Sequence, residues 1–514
     1  MPTKTLQRQA VATKPQVQPQ VRKRGVATTW APITVVLCLA TFLYSYRIES
    51  EGLWLDELTS LQDASLAPLA AYLENQLRPL YYFLLKGWMH LGNSDGWLRS
   101  LAALFALISV FLTYRLGRRL VGEAEGIIAA LLLTVSPLVI NHAQEIRMYT
   151  VSLCLSLAGT LFLADALLTE HPKKPSQKSL AGWTLFRLLA IYTVPLNITL
   201  LLADGLIVLA RFYREKSVLA SFAKWLMVLI ALWSPSVLSV IQESSPSGSY
   251  ASHHVSATPP GADNLFRQLK FWTVWPSAKP ENVIAAQFYK VFTLGLSGLL
   301  GASLLRKHKS ATLLWTLVWL IVPLLPIVVF SYLVIPIWQS RYLLFVSPFL
   351  FILLASGLTR LWQQWKISAI TFTAAYLIAA GGGLFHYYTV QERPDYKYNI
   401  ATIEEYQQPG DALVWSYHYK KPLGHYYDGG ADIHWRTLKE VQTPEDINQW
   451  ISSFPTGYER WWLTLDSSRR TDEQALESAI AQNYTVERSF DYALGSKVML
   501  LTPRSETVAI EPAP

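Results

Sequence analysis

The sequence is poor in charged residues and in cysteine. Charged residues make up 16% of its 514 residues, whereas soluble domains average about 25%, so a soluble globular protein is not predicted. The two cysteines, Cys38 and Cys154, each lie inside an apolar run and lack metal-ligand spacing. They therefore predict neither a disulfide framework nor a cysteine metal site. The sequence also has no Walker-type loop and no glycine-rich dinucleotide fingerprint, which argues against a nucleotide cofactor.

Hydrophobic residues, by contrast, make up 51% of the chain and are gathered into long runs. Runs of this kind have the length that crosses roughly 30 Å of hydrocarbon. Pro195 either divides two short spans or kinks one long helix. With the two-span interpretation, the sequence predicts about eleven membrane-spanning helices, at residues 30–46, 98–118, 124–141, 148–168, 183–195, 196–212, 222–241, 286–305, 311–334, 342–360 and 367–388.

The distribution of positive charge predicts the orientation of these helices. The net charge of +8 comes largely from basic residues in short loops between the apolar runs, and such loops face the cytoplasm in membrane proteins. With eleven spans, all the basic loops fall on one side. Residues 1–25 are basic and contain no acidic residue, which predicts a disordered cytoplasmic tail. No basic stripe interleaved with aromatics supports nucleic-acid binding.

The other, extracytoplasmic side then carries a long first loop at 47–97, a further loop at 242–285 and the chain from 389 onward. Residues 26–388 would form the transmembrane catalytic domain. Residues 389–514 are polar enough to form a soluble domain. Predicted strands that alternate with a helix indicate a small α/β fold there; the strands are at 411–416, 461–466 and 497–503, and the helix is at 472–483. The predicted fold class is thus an α-helical polytopic membrane protein with a C-terminal extracytoplasmic α/β domain.

Residues suited to chemistry gather at the predicted extracytoplasmic surface. Asp56 and Glu57 lie in the stretch LWLDELTS (53–60), which begins a few residues after the first span. The segment 80–91 is apolar but too short to span, so it is expected to lie along the membrane surface. The turn between two spans and the start of a later span add further charged and aromatic side chains, namely His142, Glu145, Arg147, Tyr149, Arg341 and Tyr342.

This mixture suits sugar transfer from a polyprenyl-phosphate donor. A carboxylate takes the proton from an acceptor hydroxyl as it attacks the anomeric carbon. Arginine or lysine holds the phosphate and stabilises its charge as it leaves. The donor's tail would lie among the membrane lipids and its phosphate at the interface, where the Asp56–Glu57 pair is placed.

The motifs that contain these residues resemble motifs of the GT-C class of membrane glycosyltransferases. The chain is most similar to the bacterial branch of family 39, which includes protein O-mannosyltransferase-like and lipid A aminoarabinose transferase-like enzymes. The resemblance covers residues 30–390 and rests on WLDE (54–57), RPLYYFLLKGW (78–88), QEIRMYT (144–150) and SRYLLFVSP (340–348). It implies a glycosyltransferase that acts with inversion in the bacterial inner membrane. The implied acceptor is an extracytoplasmic lipid, glycan or protein.

The resemblance also implies roles for individual residues. Asp56 would be the catalytic base, with Glu57 beside it as a second catalytic candidate. Four basic residues are candidates for holding the donor phosphate: Arg147, Arg341, Lys86 and Arg78. Four further residues are candidates for substrate contact: Tyr149, Tyr342, His142 and Tyr82.

The chain departs from the family pattern in one respect. The protein O-mannosyltransferase pattern continues after the Asp-Glu pair with a histidine that is absent here, which argues against assigning a mannosyl donor or a protein acceptor. Some members of the class use a divalent metal held by two acidic loops. Glu145 is a candidate second acidic ligand, and no cofactor is certain.

Other interpretations fit parts of the same sequence. The Asp56–Glu57 pair could be a solvated interfacial pair, and Arg147 could pair with Glu145. Asp204 lies inside a predicted span, where carboxylates are costly and usually face protein or water. Together with Pro195 it gives some support to a transporter or flippase of lipid-linked glycans. A non-catalytic envelope scaffold is the third alternative.

Overall fold

The computed structural model describes residues 26–65, 78–168, 175–237, 241, 259–274, 283–305, 310–391, 393–437, 443–466 and 473–504. The predicted tail at 1–25 lies outside these residues, as do parts of the predicted loops 47–97 and 242–285.

Helices dominate the described chain as far as residue 389. They are α1 (Val26–Ser45), α2 (Leu55–Ser65), α3 (Pro79–Met89), α4 (Asp95–Leu120), α5 (Glu123–Thr134), α6 (Pro137–Ala143), α7 (Tyr149–Leu167), α8 (Gln177–Thr193), α9 (Thr199–Phe212), α10 (Lys216–Trp233), α11 (Ala262–Thr273), α12 (Val283–Leu304), α13 (Ser310–Ile321), α14 (Leu324–Leu333), α15 (Ser347–Gln364) and α16 (Lys366–Thr389).

Several of these helices are long and apolar enough to cross a membrane. Among the described residues there are seven, or eight if the pair α5 and α6, bent by 63°, counts as one span. Each of the eleven predicted runs overlaps one or more helices in the part of the chain that the structure describes. Some of them, such as α8 with 17 residues, are short of the roughly 18 residues that mark a spanning helix. The chain is therefore a mostly helical integral membrane protein, and the count of eleven stays a prediction.

Small residues allow the central helices to approach closely. A Cβ atom added at Gly117 of α4 would lie 2.9 Å from the Cα atom of Gly126 in α5, and one added at Gly126 would lie 2.6 Å from the carbonyl oxygen of Tyr114. Helices in membranes pack through such small residues because lipid supplies no hydrophobic force between them. The closely packed pair α4 and α5 also lies against α15, which contacts both helices.

Asp204 in α9 forms a closed polar network among the apolar helices. Its Oδ2 accepts hydrogen bonds from Trp183 Nε1 and Arg187 Nε, both at 2.8 Å. Its Oδ1 accepts from Arg187 Nη2 at 3.0 Å and from Trp319 Nε1 at 2.8 Å. Asp204 and Arg187 are fully buried, and the network joins α8, α9 and α13.

A five-stranded mixed sheet follows the last long helix. Its strand order is β2-β1-β3-β5-β4, with β1 parallel to β2 and β3, and with β5 antiparallel to β3 and β4. The strands are β1 (Ala412–Trp415), β2 (Asp432–Trp435), β3 (Trp461–Asp466), β4 (Tyr484–Asp491) and β5 (Ser496–Pro503). The helices around them are α17 (Tyr396–Tyr406), α18 (Lys421–Tyr426), α19 (Pro444–Ser452) and α20 (Glu473–Asn483).

Residues of this sheet region contact the first loop and the start of α4. The Tyr426 hydroxyl accepts from the backbone N–H of Leu53 at 2.7 Å and donates to Asp95 at 3.0 Å. Lys397 Nζ lies 3.0 Å from the same Asp95 carboxylate. Lys421 donates to the Thr59 hydroxyl at 2.9 Å. These contacts hold α2, which carries the Asp56–Glu57 pair, against the C-terminal part of the chain.

Candidate functional site

The Asp56–Glu57 pair lies in the first turn of α2. Acidic side chains are favoured there because the unpaired N–H groups of a helix start carry partial positive charge. The Glu57 carboxylate also accepts the backbone N–H of Trp54 at 3.2 Å, which caps the helix start. The local sequence thus explains why a helix begins at this point of the loop.

Glu57 is fully buried and tied to Arg99 of α4. Arg99 Nε and Nη2 donate to the two carboxylate oxygens, each at 2.9 Å. Arg99 also donates to the carbonyl oxygens of Ile48, Glu51 and Gly52. The backbone N–H of Ile146 donates to Glu57 at 2.9 Å. This arrangement favours an anchoring role for Glu57 over the catalytic role predicted from the sequence.

Asp56 has a different environment. Its Oδ2 lies 3.2 Å from Arg341 Nη1 and 3.6 Å from Arg147 Nη2. Its Oδ1 has no hydrogen-bond partner among the described residues, and the side chain is 30% exposed. The structure therefore brings three predicted site residues together, with a partly exposed carboxylate between two guanidinium groups.

Both guanidinium groups are held in place by further contacts. Arg147 donates to the Asp56 carbonyl oxygen and to the Ser60 hydroxyl, both at 3.2 Å. Arg341 donates to the Gln339 side chain at 2.7 Å. Burial alone would lower the pKa of both arginines, but nearby tyrosines and Asp56 raise it above the usual range. Both side chains therefore stay positively charged.

His142 and Glu145 form a buried pair beside this cluster. His142 Nδ1 lies 2.7 Å from Glu145 Oε2. Burial by itself would raise the pKa of Glu145, but the hydrogen bond to His142 and the charges of His142, Arg393 and Arg147 lower it to about 2. Glu145 is thus an ionised partner of His142. No group of three His, Cys, Asp or Glu side chains suited to a metal occurs in the part of the chain that the structure describes.

Two of the three tyrosines predicted to contact substrate, Tyr149 and Tyr342, pack against the charged groups. The Tyr149 ring lies 4.8 Å from His142 and 6.0 Å from Tyr342, between ring centroids. The Arg147 guanidinium lies 5.8 Å from the Tyr149 ring centre, and that of Arg341 lies 5.3 Å from the Tyr342 ring centre. Such cation–π contacts keep arginine side chains in a fixed orientation beside the rings.

The remaining candidates are on α3 or just before it. Tyr82 is buried and hydrogen-bonds Asp63 of α2, whose carboxyl is also near the charges of Lys421 and Arg78. Burial raises the pKa of Asp63 despite these partners. Lys86 lies one helical turn after Tyr82 and is half-buried. Tyr82 and Arg78 therefore lie near Asp63, and the charge of Arg147 also acts on this carboxyl.

A cavity of about 500 Å³ adjoins the cluster. This volume lies within the range of small-molecule sites, roughly 300–1,000 Å³. Its lining combines charged, polar and aromatic side chains: Trp54, Leu138, Asn141, His142, Glu145, Phe271, Gln339, Ser340, Arg341, Arg393 and Pro394. Arg341 belongs to this lining and also contacts Asp56, so the cavity lies next to the carboxylate.

Four charged residues of this region were missed by the sequence reasoning: Arg99, Arg393, Asp63 and Lys421. Arg99 lies at the start of the predicted span 98–118, and a charge inside such a span is a signal of function or pairing. Arg393 lies near Glu51, Glu57 and Asn141. No local pattern marks Arg393 or Lys421, because both come from the chain after the last long helix.

Comparisons with known proteins agree with this picture. Residues 77–239 match the family model described as dolichyl-phosphate-mannose-protein mannosyltransferase. No curated protein matches the chain. The structure is similar to ArnT from Cupriavidus metallidurans bound to undecaprenyl phosphate, with a TM-score of 0.53 at 13% identity, covering 92% of this chain and 98% of that chain.

The apo state of the same ArnT gives a TM-score of 0.51 at 12% identity, with the same coverage. The archaeal oligosaccharyltransferase AglB from Archaeoglobus fulgidus, in complex with an inhibitory peptide and a dolichol-phosphate, gives 0.49 at 8% identity and covers 94% of this chain and 75% of that chain. On the family match and the ArnT fold, the predicted resemblance is confirmed: the chain has the fold of the GT-C class of membrane glycosyltransferases.

Proposed function

We propose that this protein transfers a sugar from a polyprenyl-phosphate donor to an extracytoplasmic lipid, glycan or protein, with inversion at the anomeric carbon. The observation that carries the proposal is the Asp56 carboxylate, 30% exposed, between Arg147 and Arg341. The family match and the undecaprenyl phosphate bound to ArnT support a lipid-phosphate donor. We also propose that the protein lies in a bacterial inner membrane with residues 389–514 on the extracytoplasmic side.

Asp56 would act as the general base. A carboxylate with one oxygen free of hydrogen bonds is suited to accept the proton of an acceptor hydroxyl. As the hydroxyl oxygen bonds to the anomeric carbon, the bond from that carbon to the phosphate oxygen breaks on the opposite side. The electron pair leaves with the phosphate, and one displacement inverts the configuration.

Arg147 and Arg341 would hold the leaving phosphate. Both are charged, and both lie within 3.6 Å of the same Asp56 oxygen. A phosphate near these groups would gain negative charge as the sugar departs, and fixed cations stabilise this charge more in the transition state than in the ground state. Because Arg147 is also bound to the backbone of α2, it couples the position of the base to that of the phosphate.

The alternative of a transporter has lost one of its supporting observations. Asp204 was its candidate for a functional charge inside a span. Both oxygens of that carboxylate are occupied by fixed donors from two other helices, α8 and α13, which is the arrangement of a structural pair. The enzyme proposal needs no such charge.

The test is sugar transfer by purified protein from undecaprenyl-phosphate sugars to a membrane extract, with and without a chelator. Asp56→Asn should lose about 10²–10⁴-fold in rate, the range for a general base, while it still binds undecaprenyl phosphate. A chelator-sensitive wild type would add a divalent metal to the mechanism. Undiminished transfer by Asp56→Asn would remove Asp56 from the reaction, and a wild type that neither binds nor transfers with any donor would contradict the proposed function.

A further inference from the structure

Two buried polar atoms in the cavity wall have no partner among the described residues. They are Nε2 of His142 and Nε1 of Trp54, and both residues line the cavity of about 500 Å³. The His142 side chain is almost completely buried. An unpaired buried polar group is destabilising, and native structures leave few of them. Two at one cavity wall indicate that a ligand supplies their partners.

The pair with Glu145 fixes which ring nitrogen of His142 is left for a ligand. The ionised Glu145 carboxylate accepts a hydrogen bond from Nδ1, so Nδ1 carries a proton and Nε2 faces the cavity. Nε2 accepts a hydrogen bond when the ring is neutral and donates one when the ring is protonated. Trp54 Nε1 can only donate. A hydroxyl group can partner either atom in both states of the ring, because a hydroxyl both donates and accepts hydrogen bonds.

Other wall residues add to this chemistry. The amide and hydroxyl groups of Asn141, Gln339 and Ser340 are further polar contacts, while Trp54 and Phe271 supply apolar ring surface. A ligand with hydroxyl groups on its edge and C–H groups on its faces can contact both the polar groups and the apolar rings of this wall. Arg341 belongs to the same wall and lies 3.2 Å from Asp56, so such a ligand would lie beside the proposed base.

We propose that this cavity is a saccharide subsite in which His142 Nε2 and Trp54 Nε1 bind hydroxyl groups of a sugar ring. The inference rests on the proposed function and goes beyond it, because it assigns the sugar to this cavity and names two residues that bind its hydroxyl groups. The same chemistry has two sources, the sugar of the donor and a sugar of the acceptor. His142 is a binding residue here, and Asp56 remains the base.

The first experiment separates the two sources. Binding of undecaprenyl phosphate and of undecaprenyl-phosphate monosaccharides is measured for wild type, His142→Phe and Trp54→Phe. A donor-sugar subsite predicts that each variant binds the monosaccharide forms roughly 5–10-fold more weakly, the cost of one lost hydrogen bond, with unchanged affinity for bare undecaprenyl phosphate. An acceptor subsite predicts unchanged donor binding and a roughly 5–10-fold rise in the amount of membrane extract needed for half-maximal transfer.

The chain offers a matched control and a rescue. Trp272 is buried and its Nε1 also has no partner among the described residues, but it does not line the cavity. Trp272→Phe should therefore change neither measurement. His142→Gln, whose amide can reach the place of Nε2, should recover part of the loss relative to His142→Phe.

The outcomes distinguish this inference from the proposed function. If both wall variants bind bare undecaprenyl phosphate, the monosaccharide donors and the acceptor as wild type does, the subsite proposal is wrong while the proposed function stands. The subsite proposal is also wrong if Trp272→Phe loses as much as Trp54→Phe. If wild type does not bind undecaprenyl phosphate at all, the proposed function itself fails.

Discussion

Two carboxylates of this protein are each paired with arginine, one among the apolar helices and one at the candidate site. Asp204 is fully buried, and each of its oxygens accepts two hydrogen bonds from Arg187, Trp183 or Trp319. Asp56 is 30% exposed, is hydrogen-bonded only through Oδ2 among the residues that the structure describes, and lies beside a cavity. The same two chemical groups are thus closed off in one region and left accessible in the other.

The difference between the two carboxylates indicates which charged residues are candidates for a functional role. A buried charge is tolerated only when its hydrogen-bonding capacity is filled, and a filled carboxylate has no site left for a substrate proton. An accessible carboxylate with one oxygen unpaired gives up some stabilising contacts but can react. Both carboxylates are paired with arginine, so pairing does not distinguish the structural carboxylate from the candidate catalytic one. What distinguishes them is whether the hydrogen-bonding positions of both oxygens are filled. Substitutions at these carboxylates test the distinction.

The largest expected effect on stability belongs to Asp204. Asp204→Leu removes one partner of a buried pair and leaves the Arg187 charge uncompensated, which costs roughly 3–5 kcal/mol. The melting temperature in detergent should fall sharply and the yield of folded protein should drop. The double variant Asp204→Leu, Arg187→Met removes both charges and should recover much of the loss. A single variant as stable as wild type would mean that the closed network does not hold the helices together.

A smaller loss of stability is expected at Glu57. Glu57→Gln keeps the size of the side chain but removes the charge that Arg99 binds at two atoms, and hydrogen bonds to charged groups contribute about 1.5–3 kcal/mol. Transfer should fall together with the melting temperature, because the start of α2 loses its anchor. If Glu57→Gln lost transfer with its melting temperature unchanged, the catalytic role predicted from the sequence would be favoured instead.

The Glu57 case also shows what the sequence can and cannot predict at the site. Asp56 and Glu57 are adjacent, and the sequence makes both of them catalytic candidates. Successive residues of an α-helix point about 100° apart, so one of an adjacent pair can face a cavity while the other faces the protein interior. The sequence does not reveal which one, because that depends on Arg99, which is 42 residues away.

The fold was more predictable than the site. The apolar runs predicted helices because their length and hydrophobicity are local properties, and the strands at 412–415, 461–466 and 496–503 fall where short apolar runs lie between turns. The contacts of Arg393 with Glu51 and of Lys421 with Thr59 join distant parts of the chain. No local periodicity marks such pairs, so their place in the site came only from the structure.

An effect visible only in acid is expected at Glu145. Its pKa of about 2 in the folded protein lies below its ordinary value of 4.5, so the ionised group stabilises the fold fully above about pH 4.5. This contribution is lost as the pH falls toward 2. The melting temperature of wild type should therefore fall more steeply between pH 5 and pH 3 than that of Glu145→Gln, which cannot titrate. Parallel pH profiles would contradict the buried pair with His142.

The smallest effect on stability is expected at Asp56, where the effect on transfer is largest. The carboxylate is 30% exposed and makes contacts of 3.2 and 3.6 Å with two arginines, so water compensates part of what is lost with its charge, unlike at Asp204, where all four hydrogen bonds are fully buried. Asp56→Asn should melt close to wild type in detergent, although it loses transfer. Asp204→Asn, which makes the same chemical change in the closed network, serves as the matched control and should melt well below wild type. If the two variants melted alike, the filling of the carboxylate's hydrogen-bonding positions would not distinguish the structural region from the functional one.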